Sequence, residues 1–188
     1  MKKKDMLKKL SAALKKKRFE HSLGVCDEAV KMAKRFGADE EKAYIAGLLH
    51  DCAKCLTRDE EKSVCEKYNV VTDEMTNLCH PVMHAPLGAV VAEHEYGITD
   101  DEILNAIRYH TVARAGMTLL EKIIYVADMT EQGRDYPGVD NLRRLSEKDI
   151  DAAYCEALKQ SLLHNIEKGT LIHPNSLEAW NDICKKNN

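Results

Sequence analysis

No stretch of this chain approaches the roughly 18 consecutive apolar residues that a membrane-spanning helix needs, and its first residues lack the apolar core of a secretory leader. Both absences predict a cytoplasmic protein with no membrane partner. Excess positive charge is missing too: 28 Lys and Arg stand against 31 Asp and Glu, a net charge of -3. Nucleic acid is therefore not an expected partner of the chain as a whole. Cys52-x-x-Cys55 has no second CxxC beside it and no βαβ pattern around it, which argues against a zinc ribbon or a thioredoxin-like site. The seven cysteines, an odd number, read as reduced thiols rather than a disulfide frame. Strand-length alternation, internal repeats and low-complexity linkers are also absent.

What is there is helix. The 188 residues, 44% of them hydrophobic, suffice to bury a core, and the length favours one domain. Met6, Leu7, Leu10, Ala13 and Leu14 recur at helical spacing among lysines, which predicts a basic amphipathic helix over 2–17 docked by its apolar stripe. The same period runs from Phe19 to Ala33, and Gly37 is placed to end that helix. Asp39 opens the next, whose Ala43, Ile45, Ala46, Leu48 and Leu49 are too apolar for a surface. Thr57 with Glu60 predicts a helix over 58–68, and Thr72 caps a short one near 73–79. Pro81 and Pro86 bracket His84 ahead of a helix from Leu87 to Tyr96, and Thr99 with Glu102 caps one over 100–110. Thr118 with Glu121 opens another buried helix, with Asp128 near its end. A breaker-rich loop spans Glu131 to Val139. Ser146 with Asp149 starts a helix to Lys168, and a last one runs from about Asn175 to Lys185. The expectation is an all-α, single-domain helical bundle over 1–188, with the basic helix 2–17 at its start and C-terminal helices over about 146–186.

The chemistry centres on Leu48-Leu49-His50-Asp51-Cys52-Ala53-Lys54. A buried carboxylate needs a cation or hydrogen bonds to compensate it, and the chain buries one twice, at Asp51 and Asp128. His21, His84 and His110 lie in other helical segments. Imidazole nitrogen with carboxylate oxygen suits iron, manganese or zinc, whereas magnesium and calcium call for mostly oxygen. Adjacent helix residues project about 100° apart, so His50 and Asp51 converge on one point only from a helix end. By itself a helical histidine is more often a surface or satisfied core residue than a ligand, and spacing alone does not join these segments.

The order His21, His50-Asp51, His84, His110, Asp128 resembles that of the HD-domain metal-dependent phosphohydrolases. The words around it are similar to those of the YqeK family of symmetrical diadenosine tetraphosphate hydrolases. They are Arg18-Phe19-Glu20-His21-Ser22, the His50-Asp51 heptapeptide, His84-Ala85-Pro86, Tyr109-His110-Thr111, Glu121-Lys122-Ile123-Ile124-Tyr125-Val126-Ala127-Asp128 and Arg134-Asp135-Tyr136-Pro137-Gly138-Val139. One departure is Gln132, where the family word has proline. The resemblance covers roughly 17–165 and implies an HD-type core over about 17–135. It implies one ion held by His21, His50, Asp51 and Asp128, and a second held by Asp51, His84 and His110. Iron is the ion it suggests, with manganese, cobalt or zinc compatible.

Two ions about 3.5–4 Å apart can bind a water between them and lower its pKa to make the nucleophile. The implied reaction splits diadenosine tetraphosphate into two ADP. Asp51, Lys54 and Arg134 are the candidate catalytic residues; Lys54, Arg134, the weaker Arg114 and His21 are the candidate substrate contacts. His80, His94, His164 and His173 fit no ligand slot. The alternatives are a mononucleotide phosphohydrolase of the same class, a nucleotide-sensing module without turnover, and nucleic-acid binding through the lysine-rich first helix. The expected partner is a small nucleotide, and a homodimer is compatible with the sequence.

Overall fold

The structure is a computed structural model that describes residues 1–186. Among these residues there are eleven α-helices, one 3₁₀ turn and no strand, as an all-α chain requires. In order the helices are α1 (Lys3–Ala13), α2 (Lys16–Phe36), α3 (Glu40–Leu49), α4 (Arg58–Tyr68), α5 (Glu74–Leu78), α6 (His84–Tyr96), α7 (Asp101–Tyr109), α8 (Leu119–Thr130), α9 (Val139–Ser146), α10 (Ile150–Lys168) and α11 (Pro174–Lys186). The 3₁₀ turn, His80–Val82, leads into α6.

The two helices with the most apolar sequences form the centre. In α3, Ala43, Ala46, Leu48 and Leu49 are wholly buried, and in α8 so are Ile123, Ile124, Val126 and Ala127. A helix that is apolar on most sides is stable in water only when surrounded. Accordingly α8 packs against α2, α3, α7, α9 and α10. One buried cluster runs from Met6 in α1 to Ala179 in α11.

The closest helix pair is α2 with α3, joined by a three-residue turn. Gly37 takes φ +78° at the end of α2, a conformation that favours glycine, and Asp39 then accepts from the N–H groups of Glu41 and Lys42 to start α3. Further along, a Cβ on Gly47 would sit 2.9 Å from the Cys26 Cα. Only a residue without a side chain permits that approach, which brings the end of α3 alongside α2.

Several boundaries differ from those expected. The first helix ends at Ala13, not 17, because Leu14 and Lys15 are extended. Its apolar stripe docks as expected, with Met6, Leu10 and Leu14 buried, and Lys9 donates to the Glu95 carbonyl at 2.7 Å. Asp73 and Asp100, not Thr72 and Thr99, cap α5 and α7. A carboxylate one residue further on accepts more strongly from helix N–H groups and suits the positive end of the dipole. Helix α6 begins at His84, three residues early, because Pro86 falls in the first turn where its missing N–H costs nothing. An unexpected helix, α9, follows Gly138, whose φ is +96°; eight residues are too few for periodicity to reveal. Ser146 therefore closes α9, and Asp149 alone caps α10. The capping boxes Thr57/Glu60 and Thr118/Glu121 are both formed.

Replacing Gly47 by alanine should force α2 and α3 apart. The expected cost is about 1–3 kcal/mol, the usual range for overpacking a close contact. Urea unfolding followed by helical signal would check it: an unchanged midpoint would mean that the α2–α3 contact yields without strain.

Candidate metal centre

The six expected ligand residues come from five helices or their ends. His21 lies in the second turn of α2, His50 directly follows α3, and Asp51 is in the turn after it. His84 is the first residue of α6, His110 follows the last residue of α7, and Asp128 is in the last turn of α8. Helix ends supply unpaired backbone carbonyls, and the histidines use them. His50 donates from Nδ1 to the Gly47 carbonyl at 2.7 Å, His110 to that of Ile107 at 2.7 Å, and His84 to that of Pro81 at 2.9 Å, always three residues back. His21, inside its helix, has no such carbonyl and its Nδ1 faces Glu131 Oε1 at 3.1 Å.

These partners fix the tautomer. A carbonyl only accepts, so Nδ1 carries the proton and Nε2 presents a bare lone pair in each neutral ring. The four Nε2 atoms converge: His21 and His50 approach to 3.3 Å, and His84 and His110 to 3.2 Å. Between the two pairs lies Asp51, 2% exposed. Its Oδ1 is 3.0 Å from His84 Nε2 and 3.7 Å from His110 Nε2, while its Oδ2 is 3.4 Å from His50 Nε2 and 3.8 Å from His21 Nε2. Asp128 Oδ1 adds a second oxygen to the first pair, 2.9 Å from His21 Nε2 and 3.8 Å from His50 Nε2.

Acceptor faces acceptor throughout this cluster. Burial pushes His84 down to about 4, so at neutral pH no proton lies on its Nε2 to relieve the approach to Asp51. Burial by itself would raise the carboxyl of Asp51, yet the group is held well below the usual carboxylate range, with the Arg18 guanidinium 2.7 Å from its Oδ2. Burial would likewise raise Asp128, yet it too is held well below the usual carboxylate range, with the Arg134 guanidinium on its Oδ1. Buried acceptors crowded without protons call for a cation. Ligand atoms about 2.0–2.2 Å from one ion stand roughly 3 Å apart, close to the separations seen here. The groups His21–His50–Asp51 and Asp51–His84–His110 each bring their ligand atoms within 4.8 Å of one another, and His50–His110–Asp128 does so across them. The donor set fits divalent metal ions, with the two oxygens of Asp51 turned to different histidine pairs.

Cationic side chains border the centre. Lys54 Nζ is 3.0 Å from Nδ1 and 3.3 Å from Nε2 of His84, and burial lowers its pKa from the ordinary value. Arg134 donates from Nε to the Asp128 carbonyl at 2.7 Å and from a terminal nitrogen to Asp128 Oδ1. Arg114, by contrast, gives two donors to buried Glu121 at 3.1 and 2.8 Å and lies over the Tyr109 ring, a local structural engagement. His80 pairs with Glu61 at 2.9 Å and His94 stacks on Tyr68. Gln132 is exposed, and the loop there is shaped by Arg143, which donates to the carbonyls of Thr130, Glu131 and Arg134.

Two residues absent from the expected set belong to the surroundings. Arg18 donates to Asp51 Oδ2 at 2.7 Å; its position three residues before His21, hence on the same helix face, was the available signal. Glu131 holds His21 and also accepts from the Gly133 N–H at 2.6 Å. It reaches across α2 because position 24 is glycine: a Cβ there would be 2.6 Å from Glu131 Oε2. Nothing in the sequence spacing gave Glu131 away. Glu131→Ala should weaken metal affinity about 10–100-fold through loss of the orientation of His21. Competition with a chelator measures this, and unaltered affinity would reduce Glu131 to a loop contact.

The family model described as HD domain matches residues 18–133. A Bacillus subtilis protein named bis(5'-nucleosyl)-tetraphosphatase, symmetrical, is 40% identical over 165 residues, covering 87% of this chain and 88% of its own. A Staphylococcus aureus protein of the same name is 35% identical over 170 residues, with coverages of 89% and 87%. A crystal structure from Clostridium acetobutylicum, of a predicted HD superfamily hydrolase involved in NAD metabolism, superposes with a TM-score of 0.94 at 37% identity, over 99% of this chain and 98% of that one. This chain therefore belongs to the HD domain family, within its YqeK group.

Proposed function

We propose that the chain is a two-metal hydrolase of phosphoric anhydrides that cuts diadenosine tetraphosphate into two ADP. The observation that carries this is the double orientation of Asp51, one oxygen toward His84 and His110 and the other toward His21 and His50. The names of the Bacillus subtilis and Staphylococcus aureus relatives support the substrate. His21, His50, Asp51 and Asp128 would hold one ion, and Asp51, His84 and His110 the other. Iron is the proposed metal, as the mixed nitrogen and oxygen set suits it, with manganese, cobalt or zinc as replacements. Bound there, such ions supply Lewis acidity, which lowers the pKa of water and neutralises charge on phosphoryl oxygens.

The remaining chemistry falls to the side chains. The leaving ADP ends in a phosphate whose second pKa is near roughly 6, so it departs as an anion and needs charge neutralisation more than a proton donor. Lys54 and Arg134, each against a metal-binding residue, are placed to supply it: Arg134 through a planar fork and Lys54 as a point charge. The four Nδ1 hydrogen bonds keep the imidazoles from rotating, so that the site is set before substrate arrives.

A cytoplasmic location is part of the same reading. Cys26, Cys52, Cys55, Cys65, Cys79 and Cys155 are free thiols, which suits a reducing compartment, and no helix of the described residues is long and apolar enough to cross a membrane. The continuous buried cluster supports one domain over 1–188.

Product identity tests the reading. The metal-loaded protein should convert diadenosine tetraphosphate to ADP alone. Release of inorganic phosphate from mononucleotides, with the dinucleotide untouched, would replace it with a mononucleotide phosphohydrolase, and tight nucleotide binding without turnover would make it a sensor. Asp51→Ala should lose one or both ions by elemental analysis and nearly all activity while keeping its helical signal; unchanged turnover would remove Asp51 from the mechanism. Arg134→Ala should lower kcat/KM roughly 10–100-fold, as expected for a lost charged hydrogen bond. Its metal content should stay intact, and loss of metal there would make Arg134 a support of Asp128.

A further inference from the structure

Arg134 belongs to two openings at once. One, of about 540 Å³, is shared with Arg18, His21 and Glu131 and so opens on the metal centre. The other, of about 700 Å³, lies between the Arg134–Gly138 loop and α10, with Met129, Tyr136, Pro137, Gln160 and Leu163 in its walls. We propose that this second groove is the nucleoside subsite of the hydrolase, holding a purine base against Tyr136 while the attached phosphates pass Arg134 to the centre. The inference rests on the activity proposed above and adds where the base binds.

Three observations carry it. The groove has the size of small-ligand sites, which run about 300–1,000 Å³, and it shares one wall residue, Arg134, with the opening on the metal centre. The Tyr136 ring is fixed, since its hydroxyl donates to the Met129 carbonyl at 3.0 Å. A ring held in place is a stacking surface that loses little entropy on binding. Leu163 is 46% exposed in the opposite wall, apolar area that a flat base would cover. Finally, Gln160 gives its amide nitrogen to Glu156 at 2.9 Å, and its Oε1 is buried with no partner. A buried acceptor left open costs about 1–3 kcal/mol, and the exocyclic amino group of a purine is a donor that a small turn of the amide would satisfy. The 420 Å³ cavity beside Tyr68 and His94 competes poorly, since it is lined by none of Arg18, Lys54 and Arg134, the cations in contact with the cluster. An anchor for one nucleoside two phosphates from the metals also accounts for a cut at the centre of the tetraphosphate.

Equilibrium binding to the metal-loaded full chain tests the assignment, with ADP and inorganic pyrophosphate as probes. Tyr136→Ala and Leu163→Glu should each weaken ADP about tenfold, the scale of one lost base-stacking contact, and leave pyrophosphate within about twofold. Tyr136→Phe, which keeps the ring, should bind ADP within about twofold of the parent. The subsite is overturned if ADP affinity survives both changes, or if ADP and pyrophosphate weaken together. It is also overturned if Leu163→Glu dissociates a dimer while ADP binding stays, which would give the groove to a second copy of the chain. The two proposals fail separately: a parent protein that binds ADP through the groove yet leaves diadenosine tetraphosphate intact sinks only the activity, and one that cleaves it while the variants bind ADP normally sinks only the subsite.

Discussion

Four imidazole lone pairs and two carboxylates meet in one buried place with no protons between them, and the rest of the molecule is arranged to sustain that. In water such an assembly would scatter or take up protons. Here each ring is tied at Nδ1 and each carboxylate is backed by an arginine, Arg18 on Asp51 and Arg134 on Asp128. The helix ends are what make the tying possible, because three of the four histidines reach a carbonyl three residues back that the helix no longer uses. A cation at the centre replaces acceptor repulsion with attraction. Metal binding and the stability of this part of the fold are therefore one equilibrium.

The cations around the cluster follow from the same constraint. A tetraphosphate, the proposed substrate, is strongly anionic, and it would approach a site whose own carboxylates are negative, Asp51 buried and Asp128 partly so. Arg18, Arg134 and Lys54 offset them from three sides, each resting against a different residue of the cluster. Their contacts are with the groups that a divalent ion would engage. Metal loading would then release some of their hydrogen-bonding capacity toward phosphate, which links the affinity for anions to the charge at the centre.

Much of this was legible in the sequence. The apolar helices α3 and α8 announced themselves by composition, and the capping boxes at Thr57 and Thr118 by spacing. The ligand residues were recognisable only through the resemblance, since nothing in separations of 18 to 33 positions says that His21 and Asp128 meet. The misplaced boundaries have a common cause: threonine and aspartate both cap helices, and where they are adjacent, as at Thr72-Asp73 and Thr99-Asp100, the better acceptor takes the position. Arg18 was within reach, one turn before His21. Glu131 and Arg143 were not, because each acts across a tertiary contact or through backbone carbonyls that leave no pattern. Arg114, singled out for its closeness to His110 in the chain, gives two of its donors to Glu121.

The segment from Glu131 to Tyr136 gathers these threads. In six residues it directs Glu131 to His21, Arg134 to Asp128 and Tyr136 to the carbonyl of Met129, so the proposed reading puts orientation of a metal ligand, charge for a phosphate and a platform for a base on one loop. Loops are ordinarily the soft part of a helical bundle, and a soft loop would blur all three. Arg143 prevents this from the last turn of α9 by holding the carbonyls of Thr130, Glu131 and Arg134 together. That accounts for a short helix whose periodicity is too brief to be seen in advance: its contribution is to bring one guanidinium under the loop, where it ties three carbonyls together and gives the site a fixed edge.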